Sequence, residues 1–209
     1  MNSIANIQMV EKLDKVFPLE KNIKDAFLSV DRKDFVPSGF SFKAYNIDAL
    51  PLVNDSSISS PLTVAKMTSY LEINKNTDSI LEIGCGSGYQ SAILSKLIRR
   101  VFAIERIGSL VKETQERLRK LSIYNVNIKY DDGINGWKTY APYDRILFSA
   151  TALKIPNNLF EQLKEGGILV APILNNNKEI ITQFKKQNRR IIYKEIEEAK
   201  FVPIKKGKE

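Results

Sequence analysis

The chain has 209 residues, with 32 Lys and Arg against 24 Asp and Glu, a formal net charge of +8 and no histidine. Without imidazole, Ser-His-Asp and Cys-His nucleophiles and every histidine-ligated metal site are excluded, and no metal is expected. With 43% hydrophobic and 27% charged residues the sequence is ordinary for one folded domain, and it has no run of about 18 apolar residues to cross a membrane.

The basic excess is spread along the sequence rather than gathered into a stripe, which argues for a basic soluble surface over a nucleic-acid partner. Residues 1–21 mix Glu11, Lys12, Asp14 and Lys15 into the apolar positions, unlike a signal peptide, and the single Cys85 can form no internal disulfide. A monomeric cytoplasmic protein is expected.

Apolar positions at Ile4, Ile7, Val10 and Leu13 predict an amphipathic helix reaching Phe17, and Ile23, Ala26 and Phe27 predict a second over Asn22 to Ser29. Residues 38–60 lack a period, lie between Pro37 and Pro61, and predict a long irregular loop facing a substrate. Ser60-Pro61 starts a helix, serine as N-cap and proline at the first helical position. Ser79 to Ile83 then reads as a buried strand that ends in Gly84-Cys85-Gly86-Ser87-Gly88, with a helix opening at Tyr89.

Arg100 to Glu105 predicts the next strand, Ile107 to Leu121 a helix, Val126 to Tyr130 a third strand closed by Asp131-Asp132-Gly133, and Tyr143 to Phe148 a fourth. Asn157 to Leu163 predicts a helix and Gly167 to Ile173 a fifth strand. Strands alternating with helices at this pace imply an α/β fold: a doubly wound, mostly parallel sheet with helices on both faces. The N-terminal helices extend it. Beyond it, Ile180 to Phe184 and Ile191 to Glu195 predict a β-hairpin around a Lys185 to Arg190 turn, Phe201 to Ile204 a last extended piece, and Lys205 to Glu209 a frayed, solvated end. The division expected is one domain over 1–209: N-terminal helices and loop at 1–60, cofactor-binding core at 61–174, hairpin and tail at 175–209.

The chemistry sits at successive strand ends. A glycine-rich turn lets backbone approach a ligand closely, but Gly84-x-Gly86-x-Gly88 lacks the spacing of the dinucleotide fingerprint, and no Gly-Lys-Ser or Gly-Lys-Thr follows to grip phosphate. Glu105, about 20 residues on, is placed to accept hydrogen bonds from two ribose hydroxyls. Asp132-Gly133 can accept from the exocyclic amine of an adenine. Glu82 adds a carboxylate beside the turn. Two carboxylates there would repel a pyrophosphate and suit a nucleoside carrying positive charge, such as S-adenosylmethionine.

At this point the sequence resembles the class I methyltransferases and, more narrowly, the protein-L-isoaspartate O-methyltransferases. The resemblance runs through Phe35-Val36-Pro37, Ser57-Ile58-Ser59-Ser60-Pro61, Leu81-Glu82-Ile83-Gly84-x-Gly86-Ser87-Gly88-Tyr89-Gln90, Glu105-Arg106-Ile107, Asp132-Gly133, Pro142-Tyr143-Asp144 and Phe201-Val202-Pro203. The glycine turn names only the superfamily; the Ser57–Pro61 and Phe201–Pro203 segments are more specific.

The resemblance implies a Rossmann-like fold and methyl transfer from S-adenosylmethionine to the free α-carboxylate of L-isoaspartyl residues in proteins and peptides, the ester then collapsing to a succinimide. It implies a cofactor set of Glu82, Gly84, Gly86, Gly88, Glu105, Asp132 and Gly133. Ser59 is the implied catalytic residue, and Ser57, Thr151 and Val202 join it at the acceptor. A carboxylate with a pKa of about 4 is already ionised at neutral pH and needs no general base, which suits a chain without histidine. The sequence departs from the family pattern at Ser57, Ser60, Asp131, Ser149 to Thr151 and Pro172-Ile173-Leu174. A methyltransferase with another acceptor, peptide or nucleic acid, and a non-catalytic adaptor that keeps the fold remain as alternatives.

Overall fold

The computed structural model describes residues 3–209; Met1 and Asn2, the head of the segment compared with a signal peptide, lie outside the described residues. In chain order it runs through helices α1 (Ile4–Val16) and α2 (Lys21–Ser29), short strands β1 (Leu50–Pro51) and β2 (Ser57–Ile58), and α3 (Pro61–Tyr70). Then come β3 (Ser79–Ile83), α4 (Tyr89–Ser95), β4 (Arg100–Glu105), α5 (Gly108–Lys120), β5 (Val126–Tyr130) and β6 (Tyr143–Phe148). The last elements are α6 (Asn157–Glu161), β7 (Leu163–Asn175), β8 (Lys178–Gln187) and β9 (Arg190–Glu198). No helix among the described residues is long and apolar enough to cross a membrane.

The main sheet has the order β5-β4-β3-β6-β7-β8-β9, parallel from β5 to β7 and antiparallel beyond. Every residue of β3, and all of β4 except Arg100, is buried, as expected of strands covered on both faces. The pleat sorts their side chains: Leu81 and Ile83 pack with Phe102, Ile104, Phe148 and Leu169 on one face, and Ile80 packs with Leu94, Val101, Leu147 and Val170 on the other. Glu82 shares the Ile80 side. Between β3 and β6 the strand order reverses, which opens a crevice at the carboxyl ends of the strands.

α1 and α2 are added to the α4 layer. Met9, Val10, Leu13, Phe27 and Phe35 bury themselves against Tyr89 and Ile93 of α4, with Phe27 edge-on to Tyr89 at 6.3 Å between ring centres.

Residues 38–60 are more ordered than their lack of period suggests. A 3-10 turn spans Ser38–Lys43, and β1 pairs with β2 through Leu50 and Ile58. The organiser is Arg32, whose side chain is fully buried. Its Nη1 donates to the carbonyls of Ala44 (2.8 Å) and Asn46 (3.2 Å), and its Nη2 to those of Asp48 (3.0 Å) and Ser59 (3.2 Å). Its guanidinium lies 5.8 Å from the centre of the Tyr89 ring. The planar fork, with five N–H donors, reaches carbonyls that loop backbone leaves without a ladder.

The end of the chain also differs from expectation. The hairpin continues the main sheet, because β8 pairs with β7 as well as β9. Two-residue turns at Asn176-Asn177 and Asn188-Arg189 close the two connections with φ of 48°, 61°, 53° and 60°, the geometry that matches strand twist and that asparagine tolerates. The expected six-residue turn therefore shrinks to Asn188-Arg189. Lys205 to Glu209 is not frayed: Gly108 N–H donates to the Glu209 carbonyl, and Glu209 N–H to the Arg106 carbonyl, both at 2.8 Å.

Arg32→Lys keeps the charge but concentrates its donors at one point, out of reach of several of these carbonyls. Since each buried polar group left unsatisfied costs about 1–3 kcal/mol, urea unfolding is expected to show a loss of about 2–4 kcal/mol; a loss below about 0.5 kcal/mol, typical of a surface change, would overturn this role.

Candidate active site

The glycine turn is shaped by positive φ: 84° at Gly84, 52° at Gly86 and 85° at Gly88, a region costly for other residues. Gly84 N–H donates to the Ile104 carbonyl at 2.8 Å, so the chain leaving β3 stays against β4. A Cβ at Gly88 would stand 2.5 Å from Thr114 Cγ2, whereas one at Gly84 would meet no atom within 4 Å, so the bare backbone there borders open space. Gly133 is needed for approach: a Cβ would lie 2.4 Å from Ile83 Cγ2.

The carboxylates of the next two strand ends are held by backbone donors. Glu105, nearly buried, accepts from Gly86 N–H through Oε2 and from Ile107 N–H through Oε1, both at 2.9 Å. Asp132 accepts from Ile134 N–H through Oδ1 (3.0 Å) and from Gly207 N–H through Oδ2 (2.7 Å). Each carboxylate oxygen keeps a further lone pair. Both side chains line a cleft with Gly84, Gly86 and Gly133, together with Asp55, Val202 and Ile204.

Glu82 does a different job from the one expected of it beside the turn. It is fully buried and accepts from the hydroxyls of Ser91 and Ser149, the latter at 3.1 Å. Burial, with Glu105 adding a little, pushes its carboxyl up to about 7, against the opposing pull of the two serine hydroxyls. Burial likewise pushes the Cys85 thiol well up, which leaves it inert.

A second cleft opens beside the first, lined by Ser57, Ser59, Met67, Glu82, Gln90 and Phe201, and a third by Asp48, Ser57, Ser59, Lys66, Lys200 and Val202. Ser57 and Ser149 border all three. The fold thus brings Ser57, Ser59 and Val202 together beside the glycine turn. Ser60 accepts from Thr63 N–H at 3.0 Å and caps α3, so the Ser59 hydroxyl is not spent on capping.

Thr151 is the exception. Its N–H donates to the Val202 carbonyl and its carbonyl accepts from Ile204 N–H, both at 2.8 Å. Docked this way against the 202–204 segment, it lines an adjoining, largely apolar cavity with Ile134, Phe148 and Leu174, which shares Asp132 and Ile204 with the first cleft. Its hydroxyl has no hydrogen-bond partner among the described residues. Ser149, two residues earlier, takes the place on the cleft expected for Thr151. Its signal in the sequence is its position directly after β6, the neighbour of β3. Arg32, which holds the Ser59 carbonyl, gave no such signal.

This donor set fits an adenosyl ligand and not a phosphate. Fixed carboxylates stand where a diol and an amine would need acceptors, the wall at Gly84 is open, and no Lys or Arg lies between Gly84 and Ser91. Gly84, Gly86, Glu105, Asp132 and Gly133 line the cleft and would hold S-adenosylmethionine, while Gly88, expected with them, lies against Thr114.

The family model described as Protein-L-isoaspartate(D-aspartate) O-methyltransferase matches residues 5–209. A protein-L-isoaspartate O-methyltransferase of Helicobacter pylori (strain P12) is 53% identical over 208 residues, covering 99% of each chain. One from Dictyoglomus turgidum is 41% identical over 197 residues, covering 94% of this chain and 89% of that one. A Plasmodium falciparum crystal structure in complex with S-adenosyl-L-homocysteine superposes with a TM-score of 0.86 over 98% of this chain and 99% of that one. At 22% identity that likeness speaks to the fold.

Glu82 gives stability a pH dependence. Below the usual 4.5 it is protonated in folded and unfolded chains alike, and the stability it allows is fully present. As pH rises towards about 7 the unfolded chain gives up the proton first, and stability falls by as much as about 3 kcal/mol. Glu82→Gln, whose amide can still exchange hydrogen bonds with both hydroxyls, is expected to flatten this fall in urea unfolding between pH 5 and 8; an unchanged slope would show that Glu82 is not its source.

Proposed function

The chain belongs to the protein-L-isoaspartate(D-aspartate) O-methyltransferase family, and from that premise we propose how its residues divide the reaction. The protein is an S-adenosylmethionine-dependent enzyme that methylates L-isoaspartyl residues of proteins and peptides. When bound, S-adenosylmethionine supplies a methyl group on a sulfonium, and an O–CH3 bond forms as the S–CH3 bond breaks, leaving a neutral thioether. The product is the methyl ester of the isoaspartyl α-carboxylate, which is poised to close to a succinimide.

The observation that carries the assignment of residues is the meeting of Ser57, Ser59 and Val202 with the glycine turn at one crevice. The acceptor needs no base, because its carboxylate is already ionised. What the protein must supply is alignment, for which well-placed reactants gain about 7–11 kcal/mol. Glu105 and Asp132 hold the adenosyl end. The Ser59 hydroxyl orients one acceptor oxygen, with Ser57 and Ser149 beside it, and Arg32 keeps Ser59 in place through its carbonyl. Glu82 steadies Ser149 through the bond it accepts from that hydroxyl.

On the same reading residues 1–209 work as one domain, a monomer in the cytoplasm that takes protein and peptide substrates and not nucleic acid. What supports the exclusion of nucleic acid is the dispersal of the basic residues along the chain, some of them paired with acidic neighbours.

Labelled S-adenosylmethionine offered with matched aspartyl and isoaspartyl peptides is expected to label only the isoaspartyl one; equal labelling of the two would overturn the acceptor assignment. Ser59→Ala is expected to lower kcat about tenfold, the worth of one hydrogen bond to a charged group, at parental affinity for S-adenosylhomocysteine. A comparable loss of that affinity would move Ser59 out of the acceptor site.

A further inference from the structure

The segment after Phe201-Val202-Pro203 is anchored across the ends of β4 and β5 by bonds that the reaction scheme does not use. Gly207 N–H donates to Asp132 Oδ2 at 2.7 Å, and the Gly207 carbonyl accepts from Arg106 Nε at 2.9 Å. Two residues on, Glu209 exchanges main-chain bonds with Arg106 and Gly108, and its carbonyl also accepts from the Tyr130 hydroxyl at 3.1 Å. Ile204 and Lys205 of this segment line the cleft that holds Glu105 and Asp132, and Lys205 pairs with Asp55 on the opposite lip at 3.1 Å.

We propose that residues 205–209 form a strap that completes the adenosyl subsite, with Gly207 as the positioning residue that fixes the Asp132 carboxylate. The inference rests on the reading of this cleft as the S-adenosylmethionine site. An aspartate at a strand end is free to turn about two side-chain torsions and to be hydrated, and either state blurs its recognition of an adenine amine. Ile134 N–H holds one oxygen from within the turn. Gly207 N–H holds the other from the strap, so the carboxylate is clamped at both oxygens and retains lone pairs for a ligand.

The backbone suits this task. Gly207 has a φ of 78°, in the region that favours glycine. The flanking ladder at Arg106 and Gly108 sets its height over Asp132. Beyond Lys205, which pairs with Asp55, the strap is bonded to Arg106, Gly108, Tyr130 and Asp132 on the adenosyl side, while Ser59 hangs from Arg32 on other elements. Loosening the strap should therefore weaken the cofactor side and spare the acceptor side.

The test uses Gly207→Pro, which removes the donor and, unable to take a φ of 78°, lifts the strap from Asp132, and a chain ending at Lys206, which removes the strap beyond it. Calorimetric titration with S-adenosylhomocysteine is expected to show affinity reduced about tenfold in both, the worth of a hydrogen bond to a charged acceptor. The KM for S-adenosylmethionine should rise in proportion while the KM for an isoaspartyl peptide stays at its parental value. Parental affinity in both variants would overturn the proposal. So would a rise of the two KM values together, which marks general loosening. The titration needs no acceptor, so an error in the acceptor assignment leaves it intact. A parent chain that binds no S-adenosylhomocysteine would instead overturn the cofactor reading itself.

Discussion

The cofactor side of the structure depends on one carboxylate. Glu105 stands at the end of β4 and accepts from Gly86 on one side and Ile107 on the other. Through those bonds it ties the glycine turn after β3 to the start of α5. Two N–H groups that β4 cannot satisfy become the means by which a buried charge is solvated. The same bonds fix the turn that gives the cleft its floor. A neutral side chain of the same size would fill the space without drawing the two backbones together.

The acceptor side has its own organiser, and it is a cation. Arg32 gathers four carbonyls from a stretch with almost no regular structure, and so gives the segment from Ala44 to Ser59 the definition that strands and helices receive from their ladders. Its counterweight is dispersed. No carboxylate is in salt-bridge contact with it among the described residues, and partial charges on several oxygens, with the face of Tyr89, offset its burial. Burial draws its pKa down, but an arginine remains charged after such a shift. The two sides of the crevice thus have different organisers and meet at Ser57 and Ser149.

Glu82 shows how position in the pleat decides a role. It lies just before the glycine turn that opens at Gly84, yet it faces the α4 side together with Ile80, where it finds Ser91 and Ser149 in place of a ligand. Carboxylates near the turn look equivalent along the sequence. Glu105 and Asp132, at strand ends, line the cleft beside Gly84, Gly86 and Gly133, each with lone pairs left free.

The amino-acid sequence by itself determined the alternation of strands and helices, the place of the glycine turn, the acidic residues at successive strand ends and the exclusion of imidazole chemistry. These are legible because burial on two faces writes continuous apolar runs, and because turns that need positive φ call for glycine. Tertiary structure alone decided that Arg32 orders residues 44–59, that Thr151 turns to another cavity while Ser149 borders the clefts, and that Gly207 reaches back to Asp132. Those contacts join residues 12 to 75 positions apart, and no local period or propensity records a hydrogen bond across such a distance. Even the joining of β8 to β7 depended on asparagine turns whose left-handed backbone becomes evident only when the strands are paired.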